Sequence, residues 1–233
     1  MTTVRTDQVT IDDGVMDLHL WVPDPKPGPG LLLIQEIFGV GAYVRAVAER
    51  LADAGYTVGA PDVFWRFAPG WDAGHDQEGL AASMAQVANL DPRKAIGDCA
   101  AALDHLDTVV GRGRSGVIGF CLGGTLGFGV AIVSDPSVCV SYYGSGVPDM
   151  IDRLDQVSCP TLFHFGNTDS YIPGEGVDRV AEAIGERDDV VLDVEHAGHA
   201  FDNHESEMFH DEAAAGAAWA KTMAFLAEHL PTG

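Results

Sequence analysis

The most regular feature of the chain is a series of short apolar runs, separated by stretches with helical periodicity. Continuous runs of roughly 4–8 apolar residues bounded by turn residues are typical of strands buried on both faces of a sheet. Six runs predict strands: GLLLIQE (30–36), TVGAPD (57–62), SGVIGF (115–120), SVCVSYYG (137–144), PTLFHFG (160–166) and VVLDVEH (190–196). Because these runs are continuous rather than alternating, they favour a mostly parallel sheet.

Helical periodicity fills most of the intervals between these strands. From Tyr43 to Ala54 the apolar side chains recur at the spacing of one helix face, and Gly55 supplies a stop. Asp91 followed by Pro92 is typical of a helix start, with the proline in the first helical position. Further helices are predicted up to residue 89, over LGGTLGFGVAIV (122–133), over 174–186 and over 209–229.

Strands that alternate with helices predict an α/β fold. We expect one domain over residues 1–233, with a mostly parallel sheet covered by helices on both faces. In such folds the reactive side chains lie beyond the carboxyl ends of the strands. The loops that follow the predicted strands are therefore the places to look for chemistry.

The charge of the chain restricts its partners. With 35 acidic and 13 basic residues the net charge is −22, and such a surface repels nucleic acid and anionic membranes. No apolar run approaches the ~20 residues that span a bilayer. The N-terminal sequence MTTVRTDQVTIDDGV lacks the apolar segment of a signal peptide. We therefore expect a cytoplasmic protein that binds a small molecule and neither nucleic acid nor membrane.

One of the four cysteines has unusual neighbours. Cys99, Cys139 and Cys159 lie in apolar or helical surroundings and are predicted to be small core residues. No C-x-x-C pair is present, so a zinc ribbon or redox pair is not indicated. Cys121 lies among three glycines in IGFCLGG (118–124), between a predicted strand and a predicted helix. This segment is the first candidate for a reactive site.

A strand, the pattern Gly-x-Cys-x-Gly and a helix are the context of a nucleophile elbow with cysteine in place of serine. The residues two before and two after the nucleophile must be small because strand and helix pass very close there. Two alternatives remain, a structural turn and a phosphate-binding loop. The second fits less well, because the segment lacks the lysine of a Walker loop and the spacing of a dinucleotide fingerprint.

A nucleophile elbow further predicts an acid and then a histidine in the loops after later strands. Asp169 follows the predicted strand PTLFHFG, and His199 follows VVLDVEH. Asp169 is also a plausible turn residue, and His196 and His204 compete with His199. Chain order and position at the strand ends together favour a Cys121–His199–Asp169 triad.

With these residues in place, the chain resembles the dienelactone hydrolase family of the α/β-hydrolase fold over nearly its whole length. A glutamine-glutamate motif followed by a Gly-x-Cys-x-Gly-Gly elbow is specific to this family. The matching motifs are QEIFG (35–39), APDVFWR (60–66), GFCLGG (119–124), SYYG (141–144), GNTDSYIP (166–173) and AGHAF (197–201).

The resemblance implies a role for each matching residue. Cys121 would be the nucleophile, His199 the general base and then acid, and Asp169 the group that orients the imidazole. Glu36, in the QEIFG motif, would approach the cysteine and help to control its protonation. The fold expected from the resemblance is a single α/β-hydrolase domain.

The backbone N–H groups of Ile37 and Leu122 would form the oxyanion hole, one after an early strand and one after the nucleophile. Candidate pocket walls are the aromatic residues of the matching motifs. They are Phe38, Trp65, Tyr143 and Tyr171.

One departure from the family concerns arginine. The resemblance implies arginines that hold a substrate carboxylate, one four residues after the histidine and one near residue 80. This chain has Asn203 at the first position, which makes Asn203 a further candidate pocket residue, and the sequence EGLAASM (78–84) around the second. The predicted function is a cysteine hydrolase of lactones or activated esters. A hydrolase of neutral esters, lactones or thioesters and a non-catalytic binding protein are the alternatives.

No cofactor or metal is expected. His196, His199, His204 and His210 lie in one stretch, but their spacing fits no familiar set of zinc ligands. We expect a small-molecule ester or lactone as the partner. The sequence does not choose between a monomer and a dimer.

Overall fold

The computed structural model describes residues 1–111 and 115–232, which form one eight-stranded sheet with helices packed on it. The strands are β1 (Thr2–Ile11), β2 (Gly14–Pro23), β3 (Gly30–Ile34), β4 (Thr57–Pro61), β5 (Ser115–Phe120), β6 (Cys139–Tyr142), β7 (Thr161–Gly166) and β8 (Val190–Glu195). The helices are α1 (Ala42–Asp53), α2 (Gln77–Val87), α3 (Pro92–Val110), α4 (Leu122–Val133), α5 (Val147–Met150), α6 (Gly174–Ile184) and α7 (Glu212–His229).

The sheet is mostly parallel, and the predicted α/β fold is confirmed. The strand order is β1-β2-β4-β3-β5-β6-β7-β8, and β3 to β8 run parallel to one another. Every residue of β3, β5, β6 and β7 is buried. This burial explains why these strands have nearly continuous apolar sequences.

An antiparallel hairpin forms one edge of the sheet. β1 pairs with β2 over its whole length, and β2 pairs antiparallel with β4. Most residues of β1 are exposed, as expected of an edge strand. The apolar-run pattern predicts neither strand, because β1 is an exposed edge strand with few apolar residues and β2 alternates between buried and less buried positions over its first half.

The chain reverses its direction across the sheet at β4. It passes from β3 to the neighbouring β4 on one side and then returns to β5 on the other side of β3. Because crossovers between parallel strands are right-handed, α1 and α3 lie on opposite faces. The carboxyl ends of β3 and β5 therefore meet at a topological switch point, where α/β proteins bind their ligands.

Local sequence determines where the helices begin and end. The Asp91 side chain accepts hydrogen bonds from the N–H groups of Arg93 and Lys94, and so caps α3 as the sequence predicts. Asp211 caps α7 in the same way, so α7 begins at Glu212 and not at residue 209. α6 ends before Gly185, which has a φ of 54°. Among the described residues, no helix has both the length and the apolar character needed to cross a bilayer.

Candidate active site

Five of the predicted site residues follow the carboxyl ends of five neighbouring strands. Glu36 lies two residues beyond β3, Cys121 directly after β5, and Tyr143 directly after β6. Asp169 lies beyond β7, and His199 lies beyond β8. The parallel register brings the ends of these strands together, since Ile34 pairs with Gly119 and Gly166 with Glu195. The structure thus places all five at the switch-point end of the sheet.

Cys121 lies in a sharp turn between β5 and α4. Its φ of 53° and ψ of −113° are sparsely populated for a residue with a side chain and store on the order of 1–3 kcal/mol of strain. A Cβ atom on Gly119 would overlap the backbone of Gly123, and one on Gly123 would overlap the backbone at the end of β3. The two glycines are required by close approach, as the elbow pattern predicts.

Among the described residues, Cys121 is one of three non-glycine residues with positive φ. The other two are Tyr143 (φ 37°) and Ala200 (φ 54°). Both belong to the same loop cluster, Tyr143 after β6 and Ala200 beside His199. Concentration of strained backbone at one place is typical of a functional site.

A chain of hydrogen bonds joins the cysteine, the histidine and the acid. The Nε2 atom of His199 lies 3.0 Å from Sγ of Cys121, and its Nδ1 atom lies 2.7 Å from Oδ2 of Asp169. The other oxygen of Asp169 accepts hydrogen bonds from the N–H groups of Tyr171 (2.7 Å) and Ile172 (3.2 Å). Asp169 and His199 are buried, whereas Cys121 is partly exposed. The acid is fixed by its loop, and the acid in turn fixes the imidazole.

The charge environment of His199 favours the imidazolium form. Burial alone would lower the pKa of this histidine. Negative charge on the Cys121 sulfur and the hydrogen bond that the imidazole donates to Asp169 outweigh burial and raise the pKa of His199 to about 10. A charged imidazole beside the sulfur is the arrangement found in cysteine nucleophiles that are paired with histidine.

Glu36 is a buried acid surrounded by neutral hydrogen-bond donors. Its Oε2 atom accepts a hydrogen bond from Nδ2 of Asn203 (2.6 Å), and its Oε1 atom accepts one from the Tyr143 hydroxyl (3.2 Å). Burial raises the pKa of Glu36 to about 7, although His199 and the two donors oppose the shift. The carboxyl group therefore changes its protonation near neutral pH.

A second buried acid is linked to Glu36 through two tyrosines. The Tyr43 hydroxyl donates to Oδ2 of Asp202 (2.7 Å), and the hydroxyls of Tyr43 and Tyr143 lie 3.4 Å apart. Burial raises the pKa of Asp202 to about 6, below that of Glu36. When Glu36 is protonated, it can donate a hydrogen bond to the Tyr143 hydroxyl. Tyr143 can then donate to Tyr43, and Tyr43 donates to Asp202. When Glu36 is ionised, Tyr143 donates to it, and the contact between the tyrosine oxygens is left without a proton.

His75 completes the surroundings of Asn203. The Asn203 Oδ1 atom accepts the N–H of Glu205 (3.1 Å), while Nδ2, which donates to Glu36, also lies 2.8 Å from Nδ1 of His75. His75 stacks on Phe38 with ring centroids 4.2 Å apart, and burial lowers its pKa. A neutral His75 can accept the second N–H of the amide. Nothing in the sequence points to His75, since this histidine lies in an irregular loop and belongs to no motif.

A cavity of about 240 Å³ lies over the cysteine. The predicted residues Glu36, Cys121 and His199 line it, together with Ile37 and Leu122. The predicted wall residues Phe38 and Tyr171 line it as well. Six further lining residues were not predicted from the sequence: Leu80, Met84, Val87, Thr125, Ser145 and Phe209.

Three predicted pocket residues do not line this cavity. The prediction that Trp65 is a pocket wall is corrected, because its indole N–H donates to Asp98 on α3 at 3.1 Å and the residue does not line the cavity. Tyr143 and Asn203 are fully buried behind the lining, where they donate to Glu36. They can therefore reach a ligand only through Glu36.

The four histidines near the C-terminal end of the sheet have different partners. His199 contacts the cysteine and Asp169, His196 contacts Asn167, and the His210 imidazole bonds the Phe201 carbonyl. His204 lies beside Glu205 at 3.6 Å. Within the parts of the chain that the structure describes, no three His, Cys, Asp or Glu residues are grouped as metal ligands.

The sheet order, the turn at Cys121 and the loops after β7 and β8 define an α/β-hydrolase fold. Residues 16–230 match the model of the dienelactone hydrolase family, so the chain belongs to that family. It is accordingly a hydrolase of carboxylic esters or lactones.

Relatives of similar length support this assignment. Carboxymethylenebutenolidase 1 of Cupriavidus pinatubonensis is 31% identical over 217 residues, which cover 92% of each chain. The carboxymethylenebutenolidase of Pseudomonas sp. strain P51 is 30% identical over 233 residues, with 98% of each chain covered. The crystal structure of a putative dienelactone hydrolase from Klebsiella pneumoniae superposes with a TM-score of 0.85 at 22% identity, covering 98% of this chain and 99% of the other.

Proposed function

We propose that the chain hydrolyses lactones or activated esters through a covalent intermediate on Cys121, with His199 and Asp169 completing a catalytic triad. The observation that carries the proposal is the unbroken contact from the Cys121 sulfur through the His199 imidazole to Asp169, at 3.0 and 2.7 Å. Cys121 and His199 both line the cavity of about 240 Å³, so a ligand in the cavity can reach them. Such a nucleophile, base and orienting acid are the elements of acyl transfer.

In the first half-reaction the Cys121 thiolate attacks the substrate carbonyl carbon. A C–S bond forms, and the carbonyl π electrons move to oxygen. The tetrahedral intermediate then expels the alkoxide or enolate, which takes the proton from Nε2 of His199. The products of this step are a thioester on Cys121, a neutral histidine and the alcohol or enol. A lactone stays tethered, because its alcohol belongs to the same molecule as its acyl group.

In the second half-reaction water removes the acyl group. Neutral His199 takes a proton from water through Nε2, and the oxygen attacks the thioester carbonyl. The second tetrahedral intermediate expels the Cys121 thiolate, and the carboxylic acid leaves. The thiolate–imidazolium pair is restored, which the raised pKa of His199, about 10, favours.

Two backbone N–H groups can stabilise the oxyanion. Leu122 is the first residue of α4, so its N–H has no acceptor within the helix. Ile37 lies in the turn after β3, and both residues line the cavity beside Cys121. One such donor is worth about 3–4 kcal/mol of transition-state stabilisation in comparable sites. The N-terminus of α4 also favours negative charge on the cysteine sulfur.

Glu36 has a supporting role in this mechanism. It lines the cavity that contains Cys121, and its charge would oppose a thiolate there. Burial, which raises the pKa of Glu36 to about 7, keeps the carboxyl group neutral over the lower part of the physiological range. A protonated Glu36 removes that repulsion and so favours the attacking form of Cys121.

The lactone part of the proposal draws on the relatives. Those from Cupriavidus and Pseudomonas are named carboxymethylenebutenolidases. A lactone and an activated ester require the same steps from Cys121, so one experiment can use both classes.

The experiment compares kcat/KM of the wild type, Cys121→Ala and His199→Ala on 4-nitrophenyl butyrate and on dihydrocoumarin, a neutral lactone. We expect both variants to lose at least about 10³-fold, because nucleophile and base act as a unit. Cys159→Ala is the matched control, since that thiol is buried outside the cavity and should leave kcat/KM within about twofold. Activity of Cys121→Ala within tenfold of the wild type would refute the proposal.

A further inference from the structure

We propose that the preferred substrate carries an uncharged, apolar group next to its scissile carbonyl, and that a substrate with a carboxylate there is disfavoured. The inference rests on the proposed function, because it names the substrate class of the same cavity. Its basis is the side chains that line the cavity and the charges they carry.

One helix supplies an apolar wall of which only Val87 packs against the protein core, whereas Leu80 and Met84 do not. Leu80, Met84 and Val87 lie at spacings of four and three residues, and so on one face of α2. All three line the cavity, yet none is buried, and Met84 is 50% exposed. An apolar helix face that remains open to solvent beside a nucleophile is suited to cover the apolar part of a ligand.

Two aromatic side chains extend this wall. Phe38, from the loop after β3, and Phe209, from the segment before α7, both line the cavity. Phe38 is held in place by its stacking on His75. The cavity therefore has an apolar surface contributed by three separate parts of the chain.

The charged groups of the cavity do not favour an anion. Of the described residues that line it, none is lysine or arginine. The ionisable groups present are Glu36, Cys121, Tyr171 and His199. His199 is already paired with Asp169 and the cysteine, and Glu36 becomes negative as the pH rises. A substrate carboxylate would lose its hydration without gaining a cationic partner.

Two arginines outside the cavity already have acidic partners. Arg66 pairs with Asp13 and Asp98 and does not line the cavity. A neighbouring groove shares Ser145 and Tyr171 with the cavity and contains Arg179. That guanidinium lies 3.4 Å from Asp149, and Glu175 also lines the groove, so the groove has no excess of positive charge.

The residue four positions after His199 cannot bind a substrate carboxylate either. Asn203 is fully buried, and its amide nitrogen donates to Glu36. It does not line the cavity. It thus stabilises a carboxylate of the protein, and a substrate carboxylate cannot reach it.

The first experiment measures kcat/KM for two esters that differ by one methyl cap, mono-4-nitrophenyl adipate and its methyl ester. Rates of Cys121→Ala are subtracted to remove spontaneous hydrolysis. We expect the neutral ester to be preferred by at least tenfold. Along the series 4-nitrophenyl acetate, butyrate and hexanoate we expect kcat/KM to rise, by up to about fourfold for each methylene buried against the α2 wall.

The second experiment introduces a cation into the α2 wall. Met84→Lys should raise the preference for the adipate anion over its methyl ester by about two- to fivefold, as expected of a partly exposed ion pair. Met84→Gln has a side chain of similar length without charge, and it should leave the ratio between the two esters unchanged. Met84 is half exposed, so neither variant is expected to disturb the core.

The outcomes separate the inference from the proposed function. If Cys121 is acylated and the anion reacts as fast as the neutral ester, the inference is wrong and the proposed function stands. The same holds if Met84→Lys and Met84→Gln change the ratio equally. If neither ester acylates Cys121, the proposed function fails and the inference fails with it.

Discussion

The amide nitrogen of Asn203 lies 2.6 Å from the carboxylate of Glu36, and both side chains are almost completely buried. The bond satisfies an acid that would otherwise be costly to bury. Position 203, where the family resemblance implies an arginine for a substrate carboxylate, is occupied here by a donor to Glu36. The contact thus links a departure from the family pattern to the electrostatics of the cavity.

Loss of this donor should destabilise the protein in a pH-dependent way. In Asn203→Leu the Oε2 atom of Glu36 loses its partner, and we expect the free energy of unfolding at pH 8 to fall by about 1–3 kcal/mol. At pH 5, where Glu36 is protonated, the loss should be smaller. Urea denaturation at both pH values measures the difference, with Asn89→Leu at an exposed position as the control. An equal loss at both pH values would contradict the assigned role.

The raised pKa of Glu36, about 7, predicts that its contribution to stability falls as the pH rises. Between its ordinary value near 4.5 and 7, the native carboxyl keeps a proton that the unfolded chain has already released. Glu36→Gln mimics the protonated acid, so this variant should be more stable than the wild type at pH 8, by up to about 3 kcal/mol. At pH 5 the two should be nearly equal.

Thermal or urea unfolding of Glu36→Gln and the wild type between pH 5 and 8 tests this sign. Glu186→Gln, at an exposed position, should show no such trend. A wild type that is more stable than Glu36→Gln at pH 8 would show that the ionised carboxylate is favourable where it is buried.

Asp169→Asn should alter both the rate and the pH profile. Without the carboxylate the pKa of His199 falls from about 10, because one of the groups that raises it is gone. We expect kcat/KM on phenyl butyrate to drop by about 10²–10⁴-fold and its alkaline limb to move to lower pH. Asp188→Asn, an exposed acid, is the control. An unchanged alkaline limb in Asp169→Asn would mean that another group sets it.

The elbow predicts a sharp contrast between two glycine substitutions. In Gly119→Ala the new methyl group would overlap the backbone of Gly123, so we expect a loss of at least about 3 kcal/mol in stability or a failure to fold. In Gly97→Ala, within α3, no atom lies within 4 Å of the new methyl group. That variant should gain about 0.5–1 kcal/mol and keep full activity. Thermal unfolding of both variants checks the contrast, and a fully stable Gly119→Ala would refute the close-approach account.

Much of the fold could be predicted because the buried parallel strands carry a strong signal. The strands from β3 to β8 are apolar runs, and the elbow is encoded by glycines that only close approach explains. The hairpin of β1 and β2 could not be predicted in this way. β1 is an exposed edge strand, so its residues need not be apolar.

The site was predictable to the extent that position along the chain determines position in space. Cys121, Asp169 and His199 each follow a strand of one parallel sheet, so chain order alone places them together. Trp65 and His75 belong to a long irregular segment, where only tertiary contacts decide which side chain faces the cavity. The Trp65 indole donates a hydrogen bond to Asp98, whereas the His75 ring stacks on Phe38 and contacts the Asn203 amide.

The central claim is that Cys121 carries the acyl group, and trapping the acyl-enzyme tests it most directly. The wild type would be mixed with 4-nitrophenyl butyrate, quenched in acid within the first turnovers and mapped by peptide mass spectrometry. We predict a butyryl mass increase on the peptide that contains Cys121, and none on Cys99, Cys139 or Cys159, whose pKa values are raised by burial. A butyryl group on another residue, or turnover that persists in Cys121→Ala, would contradict the account.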